Sequence, residues 1–214
     1  MAAGSSMVKV CDHPLIRQAL GELRRKETVP LEFRARVGEL ARYLSYEAAR
    51  DLSVASVEIE TPLMKTTAER VDEEKMILAP ILRAGLAMID GAMATFPHAQ
   101  VRHIGIFRDE KTLQPVEYYC KVPAVLDPET LVLVLDPMLA TGGSAIAAID
   151  LFKKRGITRF KFICLIAAPE GIANVQSLHP EVPIYTANVD QKLNERGYIV
   201  PGLGDAGDRC FGTH

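Results

Sequence analysis

The sequence predicts an α/β fold in which a twisted, mainly parallel sheet is flanked by helices. Five short apolar runs of strand length lie at 75–82, 101–107, 131–135, 160–168 and 182–189. Stretches with helical spacing lie between several of these runs, at 85–96, 144–154 and 171–178. Strands that alternate with helices favour a parallel sheet covered on both faces, because each crossover helix packs on one face.

The chain on either side of this alternating region reads differently. Residues 14–52 have apolar residues at helical spacing, and residues 28–30 (TVP) interrupt the pattern, which predicts two helices. The stretch 108–127 is polar, aromatic and proline-containing. It fits either an antiparallel hairpin or a loop outside the main sheet.

Composition excludes several classes of protein. The chain has 214 residues, enough for one domain, and 25 Lys and Arg against 27 Asp and Glu give a net charge of −2. The chain has no excess of basic residues that would indicate binding to nucleic acid. None of its apolar runs is long enough to span a membrane. The four cysteines are far apart in the sequence, which is typical of reduced thiols in a cytoplasmic protein rather than of a disulfide framework or a zinc site. Residues 1–6 lack the features of a signal peptide, and we interpret them as a disordered start or an expression remnant.

Ligands of a parallel sheet bind beyond the carboxyl ends of its strands. Arg83 and Arg108 follow the first two apolar runs, and a Gly-Thr segment at 136–144 follows the third. Most arginines are surface ion-pair partners. Two arginines at equivalent strand ends beside such a segment favour an anion site.

The segment 136–144, DPMLATGGS, lies between a predicted strand and a predicted helix. Gly142 and Gly143 would let backbone N–H groups converge on an anion at the positive end of that helix. The alternative is a plain turn in which Ser144 caps the helix. A P-loop is excluded because no lysine follows the glycines.

A second glycine-rich segment, PGLGDAGDR, lies near the C-terminus. Residues 202–207 match the pattern GxGxxG, which binds dinucleotides only when it opens a helix within a βαβ unit. Only seven residues follow Gly207, so we expect neither a helix nor a second strand and reject NAD. Glycines that let a backbone approach a planar ligand are one interpretation, and a series of turns is the other.

With DPMLATGGS and PGLGDAGDR, together with LRAGL, FRDE and PVEYY, the chain resembles the uracil phosphoribosyltransferase family over nearly its whole length. The resemblance implies the type I phosphoribosyltransferase fold with a β-hairpin arm and a small hood. It also implies one domain over 7–214, with the N-terminal helices and the C-terminal segment contributing the hood. The implied enzyme is a pentosyl-transferring glycosyltransferase of pyrimidine salvage. It would transfer the phosphoribosyl group of 5-phospho-α-D-ribose 1-diphosphate (PRPP) to uracil, giving UMP and pyrophosphate.

The resemblance also implies the site residues. Arg83 and Arg108 would stabilise the leaving pyrophosphate, Asp136 would accept hydrogen bonds from the ribose hydroxyls, and residues 140–144 would hold the 5′-phosphate. The implied catalytic residues are Arg83, Arg108 and Asp205. The implied uracil-binding residues are Ile199, Gly204, Asp205 and Ala206. The implied PRPP-binding residues are Arg83, Arg108, Asp136, Pro137, Met138, Leu139, Ala140, Thr141, Gly142, Gly143, Ser144 and Asp205.

Mg²⁺ is the implied cofactor. Pro137 stands where many members of the broader fold have a second acid, so we expect no direct protein ligand and a metal held by PRPP and water near Asp205. No side chain is identified as the base for uracil; His98 and His103 are candidates by residue type alone. The resemblance further implies a homodimer or larger homo-oligomer and a possible GTP effector, although no GTP motif is present.

Two other functions fit the same fold. One is a regulator that binds nucleotide and RNA with weak phosphoribosyltransferase activity, and the other is transfer to a different base such as hypoxanthine or orotate. The C-terminal segment favours the uracil enzyme over both, and the slight acidic balance of charge disfavours an RNA-binding face. We therefore expect small-molecule substrates, with neither nucleic acid nor membrane as partner.

Overall fold

The computed structural model of the chain describes residues 7–108, 115–123 and 125–213. Residues 1–6, for which we predicted a disordered start, lie outside this range. Within the described residues the α-helices are α1 (Pro14–Arg24), α2 (Pro30–Ala48), α3 (Ile89–Thr95), α4 (Gly143–Lys153), α5 (Pro169–Leu178) and α6 (Ala206–Phe211). Short 3-10 helices occupy Glu73–Lys75 and Ala84–Met88.

The strands of the described residues form one main sheet and two separate two-stranded sheets. The separate sheets are β2 (Val54–Glu60) with β3 (Lys65–Val71), and β12 (Lys192–Leu193) with β13 (Ile199–Val200). The main-sheet strands are β1 (Val8–Val10), β4 (Met76–Leu82), β5 (Gln100–Val101), β6 (Ile104–Arg108), β7 (Pro115–Cys120), β8 (Leu131–Leu135), β9 (Met138–Leu139), β10 (Arg159–Ala167) and β11 (Ile184–Val189).

The main sheet confirms the predicted fold class. Its strand order is β1-β11-β10-β8-β4-β6-β7, with β5 beside β4 and β9 beside β10. All pairs are parallel except β6–β7, which is antiparallel. Of the two alternatives for the stretch after Arg108, the antiparallel hairpin is therefore correct for the residues that the structure describes.

The central strands β4 and β8 are apolar throughout because both faces of the sheet are covered. On β8, Leu131, Leu133 and Leu135 face a core formed with α1, α2 and α3. Val132 and Val134 face a second core formed with α4 and α5. Strand alternation thus divides one run of five buried residues between two cores.

Strands β1, β2, β3, β9, β12 and β13 were not predicted, and several boundaries differ. The hairpin β2–β3 is almost entirely exposed, so it has no apolar run to indicate it. Strands β1, β12 and β13 have only two or three residues each. The predicted run 101–107 is divided between β5 and β6, and the second predicted helix ends at Ala48 rather than at residue 52.

The expectation that no helix follows the C-terminal glycines was wrong. Helix α6 begins at Ala206, where the Asp205 side chain accepts a hydrogen bond from the Asp208 N–H at 3.0 Å. It ends at Gly212, which has a φ of 63°. A cap at each end lets a six-residue helix form in a segment too short for a longer one. None of the helices in the described ranges has the length and apolarity needed to cross a membrane.

Candidate functional site

The candidate anion loop (residues 136–144) starts at the carboxyl end of β8, in the middle of the sheet. Its first part is an added strand rather than a plain turn, because β9 pairs with β10 in parallel. The Pro137 carbonyl accepts from the Leu165 N–H at 2.9 Å, and the Leu139 carbonyl accepts from the Ala168 N–H at 2.9 Å. These bonds fix residues 136–139 on the sheet, and the remaining residues turn toward α4.

The turn into α4 has the form expected of an anion site. Gly142 is the N-cap, with a φ of 85° that favours glycine, and Gly143 is the first helical residue. Ser144 lies in the first turn and is not the cap, so the alternative of a Ser144-capped turn was wrong. Because Gly142 has no side chain with which to cap the helix, the first N–H groups of α4 lack a cap from that residue.

Helix α5 supports the anion loop from the side, which the sequence did not indicate. The Asn174 side-chain amide donates to the Thr141 carbonyl at 2.9 Å. A Cβ at Gly171 would lie 2.3 Å from the Ala140 carbonyl oxygen, so only glycine permits this approach of helix and loop. The glycine in the first turn of α5 was the one local signal available, because nothing in the sequence pairs residue 174 with residue 141.

Arg83 follows β4 at the same edge of the sheet. Its Nη2 lies 3.2 Å from Asp208 Oδ1 and its Nη1 lies 3.5 Å from Thr213 Oγ1, while 56% of the side chain remains exposed. Gly85 permits this segment to lie against the end of β8, because a Cβ there would be 2.5 Å from the Leu135 carbonyl oxygen. Arg83 therefore has structural partners in the C-terminal segment.

Two carboxylates of the predicted site, Asp136 and Asp205, also meet here. Burial is the main cause that raises the pKa of Asp136 to about 7; the negative charge of Asp205 raises it further, and a hydrogen bond from the Met138 N–H opposes both. A Cβ at Gly207 would lie 3.2 Å from Asp205 Oδ1 and 3.7 Å from Arg83 Nη2. Arg83, Asp136 and Asp205 thus share one region, although 122 residues separate the first from the last (205 − 83).

The predicted uracil segment is a tight turn that starts in β13. Ile199 and Ala206 are buried, and Gly204 has a φ of 78°. Ile199 pairs with Leu193, and the next pair of residues is joined by the bond from the Asn194 N–H to the Tyr198 carbonyl. Because hydrogen-bonded and non-hydrogen-bonded pairs alternate in an antiparallel ladder, the N–H and C=O of Ile199 point away from β12.

Two further candidates, Arg108 and His98, lie at opposite edges of the sheet. Arg108 ends β6, three residues beyond Gly105, which pairs with Leu82; its side chain lies outside the description. His98 precedes β5, at the amino ends of the parallel strands and thus opposite to the candidate site. In the described part of the chain, no cluster of three His, Cys, Asp or Glu residues could hold a metal ion by itself.

Known proteins resemble this chain over nearly its whole length. A family model described as uracil phosphoribosyltransferase matches residues 10–213. The uracil phosphoribosyltransferase of Streptococcus salivarius is 54% identical over 205 residues, which are 96% of this chain and 98% of that protein.

Solved structures resemble it as well. The structure of AQ2163 protein from Aquifex aeolicus has a TM-score of 0.91 and 38% identity, and the match covers 95% of this chain and 97% of that chain. Adenine phosphoribosyl transferase from Trypanosoma brucei, solved with AMP, pyrophosphate and ribose-5-phosphate, has a TM-score of 0.55 at 13% identity, covering 91% of this chain and 88% of that chain. The second likeness concerns the fold alone.

Proposed function

This chain belongs to the uracil phosphoribosyltransferase family, and from that membership we propose that it transfers the phosphoribosyl group of PRPP to uracil. The products are UMP and pyrophosphate. In the reaction, the bond from C1′ to the pyrophosphate oxygen breaks, a bond from C1′ to uracil N1 forms, and the N1 proton is lost to solvent or to a base.

One observation carries the proposal. The candidate anion loop and the C-terminal glycine segment lie at the same edge of the sheet, beside Arg83. A phosphoribosyl donor needs an anion site, a turn lined by backbone groups can bind a planar acceptor, and the two must be adjacent for C1′ and N1 to react. Neither segment alone requires the other.

The charges of the site fit this chemistry. Negative charge grows on the pyrophosphate as it leaves, and the exposed guanidinium of Arg83 can turn from Asp208 toward that charge. The uncapped N–H groups at the start of α4 would hold the 5′-phosphate of PRPP. Arg108, at the end of β6, would contact the pyrophosphate from the next strand.

The residues present also fit Mg²⁺ bound with its substrate. Asp136 is a partly buried carboxylate near a second carboxylate, and a nearby cation would favour the ionised form of both. Two acids without further ligands suit a metal that keeps waters and takes the rest of its oxygens from PRPP. When bound, the metal supplies positive charge to the leaving pyrophosphate. Family membership extends the proposal to a homodimer or larger assembly and to GTP as an effector.

The test is incorporation of radiolabelled uracil into UMP by the purified chain with PRPP and Mg²⁺. We expect UMP and an equal amount of pyrophosphate, no product without PRPP, and an effect of added GTP on the rate. Hypoxanthine and orotate serve as competing acceptors. Binding of UMP or RNA without turnover would instead support a regulator on this fold, and turnover of another base in place of uracil would contradict the proposed acceptor.

A further inference from the structure

Asp190 lies directly after β11, and its side chain is completely buried. The carboxylate accepts four hydrogen bonds. Oδ1 accepts from Arg24 Nη2 and Asn188 Nδ2, both at 2.5 Å. Oδ2 accepts from Arg24 Nη1 at 2.8 Å and from the Gly202 N–H at 2.9 Å. A buried charge is tolerated only when it is paired and hydrogen-bonded in this way.

The same two residues bind both backbone polar groups of Gly202. Its N–H donates to Asp190, and its carbonyl accepts from Arg24 Nη1 at 2.7 Å. Arg24 is the last residue of α1, so the Arg24–Asp190 pair joins a helix end and a strand end to the turn that contains Gly202. The Gln191 N–H adds a bond to the Val200 carbonyl at 3.0 Å.

Gly202 cannot move without moving its neighbours in the proposed uracil segment. It lies between Ile199 and Gly204, and a Cβ added at Gly202 would be 2.1 Å from the Ile199 carbonyl oxygen. A φ of 64° further limits the conformations of the turn. The peptide groups of Ile199 and Gly204 are therefore placed relative to each other through Gly202.

We propose that Asp190 and Arg24 are positioning residues that hold the uracil-binding turn through Gly202 and so set the affinity for uracil. This inference rests on the proposed function. Neither residue is among those proposed to contact substrate. The candidate anion loop, which supplies most of the proposed PRPP-binding residues, is held by different bonds, from β10 and from Asn174, so PRPP binding should depend on the pair much less than uracil binding does.

Asp190→Asn tests the proposal with little change in shape. All four partners of the carboxylate are donors, so the new amide must direct N–H groups against at least one of them. We expect the KM for uracil to rise on the order of 10- to 100-fold, as displaced substrate-positioning groups generally cause. The KM for PRPP should change less than about threefold, a range set by the independent anchoring of the anion loop.

Asp51→Asn is the matched control. It removes the carboxylate that pairs with buried Lys161 of β10. That ion pair joins the segment just after α2 to β10, away from the turn. We expect Asp51→Asn to lower the melting temperature while leaving both KM values unchanged. Arg24→Lys provides a milder second variant, since lysine keeps the charge but replaces the two nitrogens that contact Asp190 and the Gly202 carbonyl with a single one.

The outcomes separate the inference from the proposed function. Wild-type protein that does not convert uracil contradicts the proposed function itself. Active wild-type protein together with an unchanged uracil KM, or an equal loss for uracil and PRPP, overturns the positioning role. If Asp190→Asn does not fold, the same criteria applied to Arg24→Lys decide.

Discussion

Arg83 Nη2 lies 3.2 Å from Asp208 Oδ1, which ties the end of the central strand β4 to the C-terminal helix α6. Thr213 Oγ1 donates to the same Asp208 oxygen at 2.5 Å. The arginine proposed to act on pyrophosphate is thus held beside the segment proposed to bind uracil. Binding of PRPP would have to compete with this ion pair for the guanidinium.

Arg83→Ala should impair catalysis far more than folding. The ion pair with Asp208 is half-exposed, and such pairs contribute at most about 1 kcal/mol to stability. Loss of a charge-assisted contact to the leaving group costs on the order of 10²- to 10³-fold in rate. Steady-state kinetics with PRPP measure the effect. Arg70→Ala removes a similarly exposed arginine, paired with Glu74 at 3.8 Å, and should leave kcat/KM unchanged. A normal kcat/KM for PRPP in the folded Arg83 variant would remove this residue from the site.

Gly143→Val should abolish PRPP binding and leave the fold intact. A Cβ at Gly143 would contact only Thr141 Oγ1, at 3.8 Å, so the protein itself has room for a side chain there. The same side chain would occupy the space that the bound phosphate needs. Gly21→Val is the control, because a Cβ at Gly21 has no neighbour within 4 Å. Calorimetric titration with PRPP, and melting temperatures of both variants, give the comparison. Unchanged PRPP affinity in Gly143→Val would show that the anion loop does not bind the phosphate.

Asp136 should make the folded protein less stable as the pH rises toward neutrality. Its pKa is about 7 in the folded chain against an ordinary value of 3.8, so the folded state holds the proton more tightly. That contribution is fully present below about pH 4 and is lost as the pH rises through about 7. Urea unfolding at about pH 5 and about pH 8 should show the loss, and Asp136→Asn, which cannot ionise, should reduce it.

The binding of PRPP should respond to the same group. Ribose hydroxyls and Mg²⁺ favour the carboxylate over the acid, so binding below about pH 7 should release a proton. Titration calorimetry in buffers of different ionisation enthalpy measures this proton. An equal pH dependence of stability in wild type and Asp136→Asn, with no proton released, would contradict the role given to burial of this carboxyl.

Base selectivity should be insensitive to the Ile199 side chain. Uracil has a hydrogen-bond donor at N3 and an acceptor at O4, whereas cytosine has an acceptor at N3 and a donor at N4. If the N–H and C=O groups of Ile199, Gly204 and Ala206 bind uracil, no rotamer change can adapt them to cytosine. Each buried polar group left unpaired costs roughly 1–3 kcal/mol. We expect uracil to be preferred by wild type and by Ile199→Val alike. Comparable kcat/KM values for cytosine and uracil would exclude this mode of recognition.

The local features of this protein could be predicted from its sequence. The run LVLVL at 131–135 indicated a strand covered on both faces, and it is fully buried. Arg83 and the segment 136–144 were assigned to one sheet edge because the carboxyl ends of parallel strands point the same way. The C-terminal glycines indicated either close approach of the backbone to a planar ligand or a series of turns, and Gly202 and Gly204 have the positive φ values that turns need. These features depend on hydrophobic periodicity and on conformational limits of single residues, which can be read from neighbouring positions.

The contacts between groups far apart in the sequence could not be predicted and followed from the packed fold. Asn174 and Thr141, Arg83 and Asp208, and Arg24 and Asp190 are 33, 125 and 166 residues apart. Each pair forms because the order and register of the strands bring its two segments together, and no local pattern encodes that order. Exposed β2 and β3 were also missed, since cross-strand pairing rather than burial forms them. The residues proposed to contact ligands could therefore be identified from motifs, whereas the residues that hold them in place followed only from the packed fold.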